Sequence, residues 1–442
     1  MMATVDVNQM SMAEALPPGP KTSRIVQTFR YTVARSKFYA DLQRQYGDTF
    51  TMRITGNRNI VALTQPEHIR AVFSGPSSVF HAGEANKILV SVVGENSLLL
   101  LDEDPHLRAR KQLMPAFNGA ALRGYGELMT KLAIAEVERW PSNKVFAVHS
   151  RMSAVTLEVI LRVVFGMDDD ARLNELRNVI SKIAAIGPLG FLGWAYPKLE
   201  RYWPWRRNKE NLRYADKLLY DEIDERRAAG DLAERKDVLS RLLREDETEA
   251  TNIELRDHMI SLLIAGHDTT STALAWTFHE LARRPEVQRA AQEAADRGDE
   301  DYLLAIHKEV MRLRPVVQNV GRKLMERTEI AGYQLPAGTI VAPIVNVVQR
   351  DPKVHDAPTE FRPERFLGSQ PAAGTWIPFG GGVHRCIGAG FSLQESAAVL
   401  GEVLRRYHIR AEKQAPEPPR SRHVTQIPGN GSRIIVTPRH QA

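Results

Sequence analysis

Apolar positions recur at helical spacing over most of the chain, and short alternating stretches are confined to two regions near its ends. Phe38 to Tyr46 reads as a helix. Thr49-Phe-Thr-Met-Arg-Ile-Thr55 and Ile60-Val-Ala-Leu-Thr64 alternate as two strands around a Gly56-Asn-Arg-Asn59 turn. Gln65-Pro66 then opens a helix towards Phe73. From there to Arg314 the pattern is helical, broken near Gly187-Pro188, at Pro197 and in the acidic stretch Glu245 to Glu249. After Pro315 short strands return, with turn chemistry at Pro336 to Gly338 and at Ile427 to Gly431, ahead of Ile434-Ile-Val436. Thr251-Asn-Ile-Glu254 has the form of a capping box, and the apolar stretch it opens runs to about Arg284, where Pro285 stops it. At 1.5 Å per residue this helix spans roughly 50 Å, enough to cross a whole domain. The expected fold is mainly α with small β-sheets (α+β), one large domain over residues 17–442 built on a long central helix. Residues 1–16 are expected to form a flexible tail.

Composition changes this picture little. Hydrophobic residues make up 43% and charged residues 25% of the 442, ordinary values that permit a large core. There is no run of 18 or more apolar residues, so no transmembrane anchor is expected. Met1 to Leu16 carries Asp6 and Glu14 and has no apolar run, unlike a signal peptide. The net charge is +6, without a nucleic-acid motif or a basic stripe interleaved with aromatics, so nucleic acid is not an expected partner. A cytoplasmic enzyme is the expectation, and a lone reduced thiol fits that compartment.

That thiol is Cys386, the sole cysteine, in Phe379-Gly-Gly-Gly-Val-His-Arg-Cys-Ile-Gly388. One sulfur cannot make an internal disulfide or a multi-cysteine metal site. A lone cysteine is ordinarily an inert core residue, but packing alone has no use for Gly380, Gly381, Gly382 and Gly388 around it; glycines let backbone approach a bulky flat partner. Ala389 to Tyr407 reads as a helix, so the thiol precedes a helix N-terminus, where the dipole favours thiolate. That is what an axial haem-iron ligand requires. A second candidate is Ala265-Gly-His-Asp-Thr-Thr270 in the middle of the long helix. Gly266 costs helix stability there and Thr269 can bond back to the carbonyl four residues earlier, which together suggest a local opening for a small ligand.

The cysteine segment resembles the haem-binding signature of the cytochrome P450 family, Phe-x-x-Gly-x-Arg-x-Cys-x-Gly, with His384 where the family has arginine. Glu309-Val-Met-Arg312 resembles the family's Glu-x-x-Arg pair, and Phe361-Arg-Pro-Glu-Arg-Phe366 its meander motif; the resemblance covers about Pro17 to Arg439. It implies the P450 fold, a single haem domain, and heme b held by Cys386 within the frame of Phe379, Gly380 and Gly388. It implies that Glu309, Arg312 and Arg365 form a buried structural triad, and that Asp268 and Thr269 are the acid–alcohol pair that handles protons above the haem. His106, Arg110, Arg322 and His384 would hold the haem propionates. His267 is left between a place at the proton channel or substrate and a plain hydrogen bond on the outer face of the helix.

The activity so implied is a monooxygenase that inserts one oxygen atom of O2 into a small lipophilic substrate. Electrons would come from NAD(P)H through separate partners, a ferredoxin and ferredoxin reductase, docking near Lys111, Arg405 and Arg406. A monomer is expected. Apolar side chains including Ile183, Ile186, Leu189, Phe191, Leu192, Trp194, Val317 and Ile427 would line the pocket, and Trp194, Trp203 and Trp205 would form a lid. Two other readings stand beside it: a peroxide-driven or isomerising haem-thiolate enzyme, and a non-enzymatic haem sensor. Asp268 with Thr269 argues against both.

Overall fold

The structure is a computed structural model that describes residues 16–56, 58–166, 171–185, 193, 196–244, 250–368 and 370–439. The tail up to residue 15, the break at Gly187-Pro188, the acidic stretch Glu245 to Glu249 and five expected pocket and lid residues (Ile186, Leu189, Phe191, Leu192, Trp194) lie outside them.

The central helix runs Asn252–Leu281. The Thr251 side chain accepts from the Glu254 amide, and the Glu254 carboxylate accepts from the Thr251 amide, so the capping box is complete. The helix ends at Leu281, short of Arg284, because Arg284 precedes Pro285 and takes an extended backbone, φ −131° and ψ 81°. Its residues are buried on nearly every side, and its main neighbour is the helix Val148–Phe165. Helices Gly119–Val137, Trp205–Ala228, Glu300–Leu313 and Ala389–Arg406 complete the layers around it. One apolar core, from Leu113 through Phe165 and Phe278 to Val403, lies between these helices.

A five-stranded sheet stands to one side, in the order Thr49–Ile54, Arg58–Leu63, Ile340–Pro343, Arg322–Leu324, Phe80–His81. The first pair is an antiparallel hairpin with Phe50 opposite Ala62, and the second pair is parallel with Ile60 opposite Ile340. Alternation sorts the side chains into two small cores. Ile60 and Ala62 face Phe38, Tyr39 and Leu42, whereas Val61 and Leu63, with Val341 beside them in the sheet, face Ile69 and Val72.

Several elements were not foreseen. The helix Arg24–Val33 exposes Ile25, Phe29 and Val33 and so does not show the pattern of a core-facing helix. Strand Val145–Ala147 is too short to be periodic and exists by pairing with Arg433–Pro438, far away in sequence. Tyr407–Ala411, although it alternates, follows directly on the helix Ala389–Arg406 and pairs with the same strand. Among the described residues no helix is long and apolar enough to cross a membrane.

Candidate active site

The cysteine loop is shaped by its glycines. Gly380 and Gly382 have φ of +66° and +68°, which favours glycine. A Cβ on Gly382 would lie 2.1 Å from the Phe73 carbonyl oxygen, so the loop is pressed against the helix Pro66–Ser74. The Cys386 amide donates to the Phe379 carbonyl at 3.0 Å and closes the loop. The helix Ala389–Arg406 starts three residues on. Cys386 exposes surface, yet burial is the main influence on its thiol and pushes the pKa up; the Gly388 amide, Arg110 and Arg385 pull it down. Both facts hold if that surface opens on an enclosed space rather than on bulk water. Gly388 agrees: it has an ordinary φ of −86°, and a Cβ there would meet nothing within 4 Å. The room beside the thiol is therefore open, as a flat ligand needs.

Past its exposed first turn, the central helix has one accessible stretch, and it turns this to the same region. Ala265 is exposed, with Ile264, Gly266 and Thr269 half-buried, whereas the turns on either side are buried. The Thr270 hydroxyl bonds Ser392 at 3.1 Å, which ties this stretch to the helix after Cys386. Thr269 donates to the Ala265 carbonyl at 2.6 Å. Gly266 has a different task from the one expected: its Cβ would sit 3.0 Å from Ile160, so the glycine lets two helices approach, and the open face belongs to Ala265 and Thr269.

Asp268 is not on that face. Its Oδ2 accepts from Thr425 at 2.9 Å and its Oδ1 lies 3.5 Å from the Arg422 guanidinium. Burial pushes its carboxyl up, against Arg422 and the Thr425 bond. His267 is at neither of its expected places. It is 1% exposed and sits between helices, hydrogen-bonded to Ser153 and Thr156 at 3.2 and 3.1 Å.

The four expected propionate ligands do converge. His106 and His384 stack with ring centroids 3.8 Å apart. Arg110 donates to the Arg385 carbonyl at 2.8 Å, and Arg322 to that of Gly381 at 3.3 Å. Burial lowers His106 to about 4, His384 to about 3 and Arg322 to about 10, and the cationic neighbours add to the effect at both histidines. Asp102 is the nearby counter-charge, 3.5 Å from His384, and it also accepts from the Gly83 and Glu84 amides. Such a largely buried set of basic residues, short of anionic partners, fits a ligand with carboxylates, and the open thiol fits its iron: the residues present suit haem.

Behind the loop, Glu309 and Arg312 form a fully buried bidentate pair at 2.7 and 2.8 Å. Arg365 reaches Glu309 at 3.4 Å, and the Arg362 amide donates to the same carboxylate at 2.9 Å. The remaining Arg312 donors go to the carbonyls of Gln349, Pro358 and Glu360. Sequence reasoning missed Asp102, Arg422 and Thr425, which carry no local signal and matter only through contacts distant in sequence.

A helix-terminal thiol open to an enclosed space, a buried basic cluster and an accessible mid-helix hydroxyl together define a haem-thiolate protein. The chain matches the sequence profile of the family described as Cytochrome P450 over residues 17–432, and it belongs to that family. It is 42% identical over 436 residues to cytochrome P450 135A1 of Mycobacterium tuberculosis, covering 98% of this chain and 97% of that protein. To cytochrome P450 135B1 of the same organism it is 43% identical over 430 residues, covering 95% and 91%. Among solved structures it resembles retinoic acid-bound cyanobacterial CYP120A1, with TM-score 0.84, 20% identity, and 96% and 99% of the two chains covered. The cytochrome P450DA heme domain gives 0.84 at 23% identity, with 96% and 98% covered; at these identities the likeness concerns the fold. The protein is accordingly a haem-thiolate monooxygenase, an oxidoreductase.

Proposed function

We propose that the protein inserts one oxygen atom of O2 into an apolar or weakly polar organic substrate. Electrons come from NAD(P)H through a separate ferredoxin and ferredoxin reductase, and the haem is heme b. The haem, bound through Cys386, supplies the redox centre at which O2 is activated. The protein's own contribution is to place and feed it. His106, Arg110, Arg322 and His384 hold its carboxylates. The Thr269 hydroxyl uses its proton on the Ala265 carbonyl, so towards the cavity its oxygen can only accept, fixing a donor such as water. Asp268 has a raised pKa and can carry a proton inward by turning from Thr425 and Arg422. Ile264 and Val317, half-buried beside these residues, suit a lipophilic ligand. Ile183 and Ile427 are only 2% and 3% exposed and sit in packed structure.

The observation that carries the reading is the accessible Ala265–Thr269 face tied by Thr270 and Ser392 to the cysteine helix. The test compares turnover with a ferredoxin system against peroxide alone, alongside Cys386→Ser. The reading expects reductant-driven oxygenation, with the red-shifted absorption of the reduced carbon-monoxide complex lost in the variant. Equal turnover with peroxide alone would favour the peroxide-driven alternative, and an unchanged spectrum would place the iron elsewhere.

A further inference from the structure

Away from the cysteine, a cavity of about 370 Å³ lies between the N-terminal helices, the end of the Glu309 helix and the segment before Pro352. Trp276, two helical turns beyond Thr269, forms part of its wall. Its charged lining is entirely basic: Arg35, Lys37, Arg314 and Arg350.

These cations are not equivalent. Arg35 is committed to the carbonyls of Tyr31, His423 and Val424, and Lys37 to Asp41. Arg314 reaches Glu280 at 2.9 Å, but Glu280 is shared with Arg284 and His279. Among the described residues Arg350 has no carboxylate partner; it donates to the Leu313 carbonyl. It exposes surface and lines the cavity, and desolvation, with Arg314 and Arg312 nearby, lowers it to about 10. Of the three amide side chains in the lining, Gln318, Asn346 and Gln426, the first two stand out. Gln318 is 3% and Asn346 8% exposed, and Gln318 Oε1 and Asn346 Oδ1 have no hydrogen-bond partner. Buried amide oxygens are rarely left so.

We propose that this cavity is a second binding site, for a small organic anion that also carries hydroxyl groups. Its carboxylate or phosphate oxygens accept from Arg350 and Arg314, which suit such groups by their planar fork, and its hydroxyls donate to Gln318 and Asn346. The cavity lies within the 300–1,000 Å³ usual for small-molecule sites, near its lower end, which restricts the ligand to a few carbons. The site is separate from the haem site: none of the residues lining it belongs to the cysteine loop, the cluster of His106, Arg110, Arg322 and His384, or the Ala265–Thr269 stretch.

The haem-loaded enzyme would be titrated by calorimetry with glycerate, glycerol 3-phosphate, inorganic phosphate and glycerol, while the haem absorption is followed. Glycerate or glycerol 3-phosphate should bind saturably, which of them distinguishing carboxylate from phosphate, and the haem spectrum should stay unchanged. Inorganic phosphate should bind at least several-fold more weakly, and glycerol not at all. Arg350→Gln should weaken binding tenfold or more, with partial recovery in Arg350→Lys, and Asn346→Leu should weaken it several-fold; the reduced carbon-monoxide spectrum certifies each fold. Absence of saturable binding to either hydroxylated anion would overturn the proposal. So would equal affinity in Arg350→Gln or Asn346→Leu, or a probe that perturbs the haem spectrum.

Discussion

Thr269 and Asp268 are neighbours in sequence but point to different surroundings, and each can be tested alone. Thr269 faces the accessible stretch with its proton engaged by Ala265. Thr269→Ala removes the acceptor without touching the packed sides of the helix. Haem content and ligand binding should persist, while most reducing equivalents appear as peroxide instead of product; coupled turnover at the parent level would remove the role. Asp268 answers to Arg422, which lowers a carboxyl that burial raises. Arg422 also donates to the Ala184 carbonyl at 2.8 Å, so it binds the carboxylate to the end of the helix Ala171–Ala184. In Arg422→Ala the pKa of Asp268 rises further and its proton-bearing form survives to higher pH. The alkaline limb of coupled turnover should therefore move upward, and an unmoved limb would show that Asp268 carries no proton in the rate-limiting step.

At the scale of elements, the helix Glu300–Leu313 and the segment around Phe361 to Phe366 are joined by one buried charge cluster. Arg312 is fully buried with every donor on a Glu309 oxygen or a carbonyl, whereas Arg365 reaches Glu309 only at 3.4 Å and keeps some exposure. Removing one partner of a buried pair costs about 3–5 kcal/mol, so Arg312→Ala should unfold at clearly lower denaturant and fail to retain haem. Arg365→Ala should lose about 1–2 kcal/mol and keep its haem. Equal losses in the two variants would show that the pair has no privileged place.

The same elements show what the sequence makes legible. The central helix, its capping box, the strand pair Thr49–Leu63 and the cysteine helix all have signals within their own few residues: a cap, an alternation, a proline. The thiol has a local signal in its glycines and the helix that follows, whereas the triad and the basic cluster are readable only through the family resemblance, since His106 and His384, 278 positions apart, share no local pattern. Gly266 is a case where local reasoning picks the right segment and the wrong cause, because Ile160 comes from another helix. Arg422 and Thr425, as partners of Asp268, are invisible for the same reason. Their roles are made by contacts that no window of sequence contains.

For the whole molecule, stability depends on buried groups whose protonation is fixed by the fold. His267 and His307 are lowered to about 3 and His149 to about 4, each mainly by burial. Below about pH 6.5 the unfolded chain takes up protons that these folded histidines refuse, so stability falls on acidification. Glu395, on the cysteine helix, works in the opposite direction. It is 0% exposed, neither carboxyl oxygen has a partner, and burial alone pushes it well above the ordinary value. The folded protein keeps that proton while the unfolded chain releases it above about pH 4.5, so this group favours the fold at low pH and opposes it as pH rises towards its folded value. Glu395→Gln keeps the size and removes the ionisation. Relative to the parent, the variant should gain stability as the pH rises above about 5, by up to about 1.4 kcal/mol per pH unit until the folded carboxyl titrates, read from urea midpoints with haem bound. The cost of burying an unpartnered polar group is common to both proteins and cancels in that slope. A stability difference that is flat across this range would mean that Glu395 is ionised inside the fold, held by a partner that reaches it there.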